Sequence, residues 1–337
     1  MLFVFIADTH FDSAFSGENS NLRNSELISA FRDSVEYAKA IGAKAVLLGG
    51  DLFDSPYPCA ETAGAVRSII ASSSELQFIA ICGNHDPIHK TAFYDSLPKN
   101  FYLFPDSITR YDFEGITFYG VSEKESSYSD NRWEGFRADG RFITLSHGDL
   151  YPATLAQTGA ALCLLGHIHK SEVHVLSNGV SAIYSGCLAG RGFDECGAKG
   201  FYVIDSDDMS YRFIRSGAKE YAEYKVDVSE TSSVEELMEL LQDIVPGEKE
   251  IARAVLTGGI KEPYTIDCEK LAALFPQFAE IRDKSFVDRD VMSGINESTL
   301  EGEFIRILNA KYENADEDEK PKILEAMKQG VLALRRK

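Results

Sequence analysis

No apolar run in this 337-residue chain approaches the roughly 18 residues that a membrane-spanning helix needs. Its first residues, MLFVFIADTH, carry neither the basic flank nor the small-residue cleavage site of a secretory leader. A cytoplasmic protein without a membrane partner is expected. The six cysteines, Cys59, Cys82, Cys163, Cys187, Cys196 and Cys268, form no CxxC pair and no zinc-ribbon spacing. Cys82 and Cys163 fall inside apolar runs and read as small core residues. Basic excess is lacking as well. The formal net charge is -19, and residues 1–219 hold 18 Lys and Arg against 27 Asp and Glu, while residues 220–337 hold 16 against 26. Neither half is a basic nucleic-acid platform, so a polyanionic substrate has to be held by bound cations or a partner subunit.

What is present is an ordinary globular composition, 44% hydrophobic and 26% charged, long enough for one large or two modest domains. Through about residue 215, apolar runs alternate with amphipathic stretches, which predicts a layered α/β domain. LFVFIA, KAVLLGG, QFIAICG, RFITLSHG and ALCLLGH read as buried strands, and ITFYGVS, VSAIYSG and GFYVIDS as a second set. SELISAFRDSVEYAKAIG reads as a helix with Leu27, Ile28, Phe31, Val35 and Ala38 on one face. The polar stretch 123–141 is expected to be a surface loop anchored by Trp133 or Phe136. Beyond residue 220 the pattern strand, helix, strand, helix, strand predicts a compact second α/β unit over 220–296. Residues 297–337 hold two amphipathic helices, one with Leu300, Phe304, Leu308 and Tyr312 at four-residue spacing, the other with Ile323, Met327 and Val331.

Histidine is scarce, yet all seven copies stand at or just beyond the end of an apolar run: His10, His85, His89, His147, His167, His169 and His174. Asp8, Asp51 and Asn84 occupy equivalent places after LFVFIA, AVLLGG and FIAICG. In a layered α/β sheet such positions gather along the carboxyl edge of the strands, where ligands bind. Strand residues two apart project to one side, which is expected to pair Asp8 with His10 and His167 with His169. Singly, ADTH, GGDLFD, GNHD and SHGD read equally well as a turn, a helix cap or a loop, whereas GHIH is harder to dismiss. Together they point to one ligand site at that edge, since five independent coincidences would otherwise be needed.

The ordered series D-x-H, G-D-x-x-D, G-N-H-D, H-G and G-H-x-H resembles the calcineurin-like metallophosphoesterase superfamily. Within it, YSGCLAGRGFDECGAKGFYVID after GHIHK, the second unit and the paired terminal helices resemble the bacterial SbcD-like DNA repair exonuclease subunits. The motif match covers residues 1 to about 215 and the remainder matches in layout alone. The resemblance implies an α/β fold: a four-layer metallophosphoesterase β sandwich flanked by helices over 1–215, a small α/β capping domain over 220–296 and a C-terminal helical pair over 297–337 for partner docking. It implies two divalent ions, Mn²⁺ first, with Fe²⁺ or Zn²⁺ compatible. One would take Asp8, His10, Asp51 and His169, the other Asp51, Asn84, His147 and His167, with Asp51 shared. His85 would face the substrate as the acid for the leaving group, and Asp54 would orient it. The archaeal and eukaryotic repair nucleases carry a histidine where Asp54 stands, so a second-histidine role does not carry over. Arg191, with His89 and Lys90, is a candidate phosphate contact, and His174 is expected to turn away from the metals. The implied function is hydrolysis of DNA as the nuclease subunit of a complex with an SMC-like ABC ATPase of the SbcC type, with dimerisation through the first domain. The alternative is the same chemistry on nucleotides or other small phosphoesters.

Overall fold

The structure is a computed structural model that describes residues 1–14, 20–125, 131–261, 264–288 and 298–335. The expected boundary at 296/297 and part of the polar stretch 123–141 lie outside the described residues. The chain divides into two compact units, Met1–Glu220 and Tyr221–Lys337.

The first unit contains β1 (Leu2–Ile6), β2 (Ala45–Gly49), β3 (Gln77–Ile81), β4 (Phe101–Leu103), β5 (Thr109–Phe113) and β6 (Ile116–Gly120). It continues with β7 (Phe142–His147), β8 (Leu162–Gly166), β9 (Glu172–Val175), β10 (Ser181–Tyr184), β11 (Gly200–Asp205) and β12 (Ser210–Arg215). They form two six-stranded sheets, ordered β12-β11-β1-β2-β3-β4 and β5-β6-β7-β8-β10-β9. The inner strands β1 to β4 of one sheet, and β6, β7, β8 and β10 of the other, run parallel.

Parallel strands covered on both faces read as unbroken apolar runs rather than as alternation. In β1, Phe3 and Phe5 enter the core between the sheets, beside Leu47, Ile79, Ile143, Leu145 and Leu164. Val4 and Ile6 point the other way, onto Leu27, Phe31 and Val35 of the helix Ser20–Ala40. Phe142, Cys163, Leu165 and Tyr184 on the outer face of the second sheet pack with Leu155 and Trp133. Trp133 meets Phe136 edge to face, with ring centroids 5.2 Å apart, so both expected anchors are used. Each fully buried Leu or Phe contributes about 1.5–3 kcal/mol relative to exposure. The result is the expected four-layer α/β sandwich, and the carboxyl ends of both parallel sets point to one edge.

The second unit holds β13 (Glu220–Asp227), β14 (Glu250–Thr257), β15 (Gly259–Ile260), β16 (Phe278–Asp283) and β17 (Phe286–Val287). Helices Val234–Gln242 and Cys268–Leu274 pack on the sheet β13-β14-β16, with Leu237, Leu241, Leu256, Leu271 and Ile281 in its core. The terminal helices Leu300–Glu313 and Lys320–Arg335 belong to this unit and close a small core of Val287, Ile305, Met327 and Val331. Met327 and Val331 of the second expected stripe are buried and Phe304 and Leu308 of the first pack against them, but the first stripe departs from expectation at its start. Leu300 is 74% exposed and Ile305 takes the buried place, because the Phe304 ring lies where Gly330 offers no side chain. Lys328 is buried beside Met327 and donates to Asp283 Oδ2 at 2.5 Å and Ser285 Oγ at 2.7 Å, which fastens the last helix to the unit.

Candidate active site

Six loops at the carboxyl ends of parallel strands carry the site. Asp8 and His10 follow β1, Asp51 and Asp54 follow β2, and Asn84 and His85 follow β3; His147 ends β7, His167 and His169 follow β8, and Arg191 and Glu195 follow β10. The pairs do not meet by strand alternation, as the sequence suggested. Asp8, His10, Asp51 and His167 have left-handed backbones, with φ of 51°, 46°, 49° and 103°. Such strain costs on the order of 1–3 kcal/mol per residue and persists where surrounding bonds impose it. Those bonds are present: Asp8 N donates to Gly50 O at 3.1 Å, His10 N to Asp51 O at 3.0 Å, and His167 N to Asp8 Oδ1 at 2.8 Å. Gly83 is required for a related reason, since any side chain there would strike the Asp51 carboxylate.

Asp51 lies at the centre. Its Oδ1 accepts from His85 N at 2.8 Å, while its Oδ2 faces His147 Nε2 at 3.2 Å and His10 Nε2 at 3.6 Å. Among the described residues, three groups bring their donor atoms within 4.8 Å of one another: Asp8, His10 and His169; Asp8, Asp51 and His147; and His10, Asp51 and His85. Asn84 Oδ1 is 3.1 Å from His147 Nε2, and the His167 ring lies 5.4 Å from that of His147.

Donor chemistry and one orphaned atom both fit divalent cations. Asp8 Oδ2 is buried without a hydrogen-bond partner, an arrangement that costs free energy unless an ion or water takes the lone pairs. His10 and His169 face each other through Nε2 at 3.0 Å, each with Nδ1 beside a carboxylate, Asp54 at 2.9 Å and Glu195 at 2.7 Å. Carboxylates behind the rings fix Nδ1–H donors, which leaves two Nε2 lone pairs turned on one another and calls for a cation.

Burial lifts the Asp8 carboxyl to about 6 against the pull of His147. It pushes His10 down to about 4, although the Asp54 carboxylate opposes this. Burial works against charge on His147 too, but the Asp51 and Asp8 carboxylates outweigh it and raise the imidazole to about 10. Asp51, whose burial favours the neutral acid, is held below the usual carboxylate range by His147 and His10. Without metal, Asp51 and Asp8 therefore favour the imidazolium form of His147. Its Nδ1–H donates to Gly49 O at 2.9 Å and its Nε2–H points at Asp51 and Asn84. A cation ligated at Nε2 must displace that proton, so metal binding should release about one proton per chain from His147 and weaken as pH falls. Calorimetric titration with Mn²⁺ in two buffers of unlike ionisation enthalpy measures this. Equal heats in both would contradict a protonated His147.

His85 is the open member of the site, with 41% of its side chain exposed. Its Nδ1 donates to the Asp54 carbonyl at 3.0 Å, which turns Nε2 outward. Asp54 is thus placed to orient two histidines, His85 through its backbone and His10 through its carboxylate. The Arg191 guanidinium lies between the carboxylates of Asp54, at 2.8 Å, and Glu195, at 3.0 Å. Lys90 pairs with Glu125 at 2.7 Å and His89 with Asp106 at 3.3 Å, both at the surface. His174 stands on β9 beside Glu172 and outside the candidate groups. Two positions of the site received no role from the sequence, although Asp86 closes the G-N-H-D motif. Asp86, fully buried and lifted to about 7 by that burial, accepts from the backbone N–H of Leu52, Phe53 and Gly83 and from the Tyr94 hydroxyl, and so locks the loops after β2 and β3 together. Glu195 backs His169; the only hint of it is its place in GRGFDE, after the last metal motif.

A sandwich that gathers carboxylates and imidazoles at one strand edge defines a metal-dependent hydrolase of phosphoesters. The chain belongs to the calcineurin-like phosphoesterase superfamily, whose domain model matches residues 1–209. Among solved structures it is similar to TT1561 of Thermus thermophilus, at 14% identity and a TM-score of 0.42, over 64% of this chain and 98% of that one. It is also similar to a dimetal phosphatase from Danio rerio, at 15% identity and a TM-score of 0.44, over 60% of this chain and 91% of that one. No curated protein matches it. Among the described residues no helix is long and apolar enough to cross a membrane.

Proposed function

We propose that the chain is a two-metal phosphodiesterase that cleaves DNA, the nuclease subunit of a complex with an SMC-like ABC ATPase of the SbcC type. The observation that carries the hydrolytic reading is Asp51, one buried carboxylate facing imidazoles from both sheets. Asp8, His10, Asp51 and His169 would hold one ion, and Asp51, Asn84, His147 and His167 the other. Mn²⁺ suits this donor set, and Fe²⁺ or Zn²⁺ is compatible with it. When bound, the pair supplies charge neutralisation for the phosphodiester and lowers the pKa of water. The chain's own residues do the rest. Asp51 sets the spacing of the site, Asp86 holds the two loops that carry it, and His85 presents Nε2 to the leaving oxygen as a proton donor.

DNA as substrate is supported by the resemblance of the segment after GHIHK to the SbcD-like nucleases and by the presence of a second α/β unit, which matches their layout. The charge of -19 supports a partner, because a chain whose acids outnumber its bases in both halves gains little affinity from phosphate contacts. A groove of about 630 Å³ between the terminal helices, lined by Leu308, Ile323 and Ala326 together with Lys311, Glu319 and Lys322, suits a docked partner helix with an apolar stripe and charged flanks. The deciding experiment is cleavage of labelled single- and double-stranded DNA with Mn²⁺, Mg²⁺ or EDTA, beside a phosphomonoester. Mn²⁺-dependent DNA cleavage abolished by EDTA is expected. Fast monoester hydrolysis with inert DNA would assign the site to small phosphoesters.

A further inference from the structure

We infer that Glu195 and Arg191 are positioning residues of the metal centre, forming with Asp54 a bracket that aims His10 and His169 at a single ion. The inference rests on the metal-site reading above. His10 comes from the loop after β1 in one sheet and His169 from the loop after β8 in the other. Each ring has its Nδ1 against a carboxylate, Asp54 Oδ1 at 2.9 Å and Glu195 Oε1 at 2.7 Å. One guanidinium joins the two acids: Arg191 Nη1 donates to Asp54 Oδ1 at 2.8 Å, while its Nη2 and Nε donate to Glu195 Oε1 at 3.0 and 3.1 Å. The Arg191 backbone N–H takes the other Glu195 oxygen at 2.8 Å. The chain His10, Asp54, Arg191, Glu195, His169 is therefore continuous and crosses from one sheet to the other.

The segment that carries Arg191 and Glu195 is itself held. Buried Arg23 of the first helix donates to Gly190 O at 2.7 Å, and Lys199 Nζ donates to His169 O at 3.0 Å. A guanidinium fork between two carboxylates is planar and fixes both acids in direction as well as distance. Carboxylates behind ligating imidazoles set tautomer and ring angle, and losing one typically lowers metal affinity by about 10- to 100-fold. The bracket touches the rings at one ion position and leaves His147 and Asn84 alone, so its loss should be selective.

The test is calorimetric titration of the metal-free full chain with Mn²⁺, with apo melting temperature and KM measured alongside. Glu195→Ala should weaken one of two binding events by about 10- to 100-fold, leave the other unchanged and lower the apo melting temperature through loss of the Arg191 pair. Glu195→Gln, whose amide oxygen can still accept from His169 Nδ1–H, should recover part of the loss, and it serves as the reporter if the alanine chain fails to fold. Arg191→Lys should weaken the same event. Wild-type affinity at both events in Glu195→Gln and Glu195→Ala, or equal weakening of both events, would overturn the inference. So would Arg191→Lys with a raised KM and intact Mn²⁺ affinity, which would make the guanidinium a substrate contact. A wild-type chain that takes up no Mn²⁺ would instead remove the metal-site reading and the inference with it.

Discussion

Asp51→Asn is expected to leave a folded chain that retains less than its full metal complement and has lost phosphodiester hydrolysis. The loss should exceed the roughly 10- to 100-fold that removing a supporting partner of a ligand costs, because Asp51 is a ligand in both proposed ion sites. The amide keeps the shape of the side chain and an oxygen for His85 N–H, so the backbone turn after β3 has no reason to move. What disappears is the negative charge that faces His147 and His10. That charge heads the causes that hold His147 as an imidazolium against burial, so the variant should also release fewer protons on titration with Mn²⁺. Metal content by mass spectrometry and cleavage of a short oligonucleotide measure the two effects. The control is Cys163→Ala, a buried change on β8 that faces the outer core, where a loss of about 1 kcal/mol in stability and little in activity is expected. Two ions retained by Asp51→Asn with near-normal turnover would refute a shared role for Asp51.

The layered fold was legible because burial on both faces leaves an unmistakable pattern. LFVFIA, AVLLGG and QFIAICG each supply residues to two cores at once, and no solvated strand would tolerate that. The positions of Asp8, Asp51 and Asn84 were legible because they end those runs. How they meet was not. Alternation along an extended strand correctly grouped Asp8 with His10, but the backbone there is left-handed, and nothing local in ADTH requires it. It is imposed by bonds to Gly50 and Asp51 from a different loop. Glu195 illustrates a second limit. It is one of 53 acidic residues, 26 positions beyond the histidine it supports, and only the folded loop makes it different from the rest. The terminal helices show a third. Four-residue spacing chose Leu300 and passed over Ile305, because the register of a helix pair depends on which partner residue is small, here Gly330, and periodicity within one helix does not contain that information.

His85→Asn should separate proton donation from metal binding. The side chain of His85 is 41% exposed beside buried His10 and His147, and its ring is held by Nδ1–H to the Asp54 carbonyl. Its backbone N–H, which binds Asp51 Oδ1, survives any side-chain change. Asparagine should therefore preserve the carboxylate and Mn²⁺ uptake while removing the open imidazole of the site. General acid assistance is worth about 10²- to 10⁴-fold, so DNA cleavage should fall by that much. The loss depends on the leaving group. An alkoxide from a deoxyribose must be protonated as it departs, whereas a nitrophenolate is stable as an anion and gains little from an acid. Turnover of a nitrophenyl phosphodiester should be largely spared in the variant. That contrast discriminates between roles, because a histidine that only ordered the loop, or only contacted phosphate, would reduce both substrates alike. Equal losses on DNA and nitrophenyl ester, with two ions still bound, would remove His85 from proton transfer and leave it a binding residue.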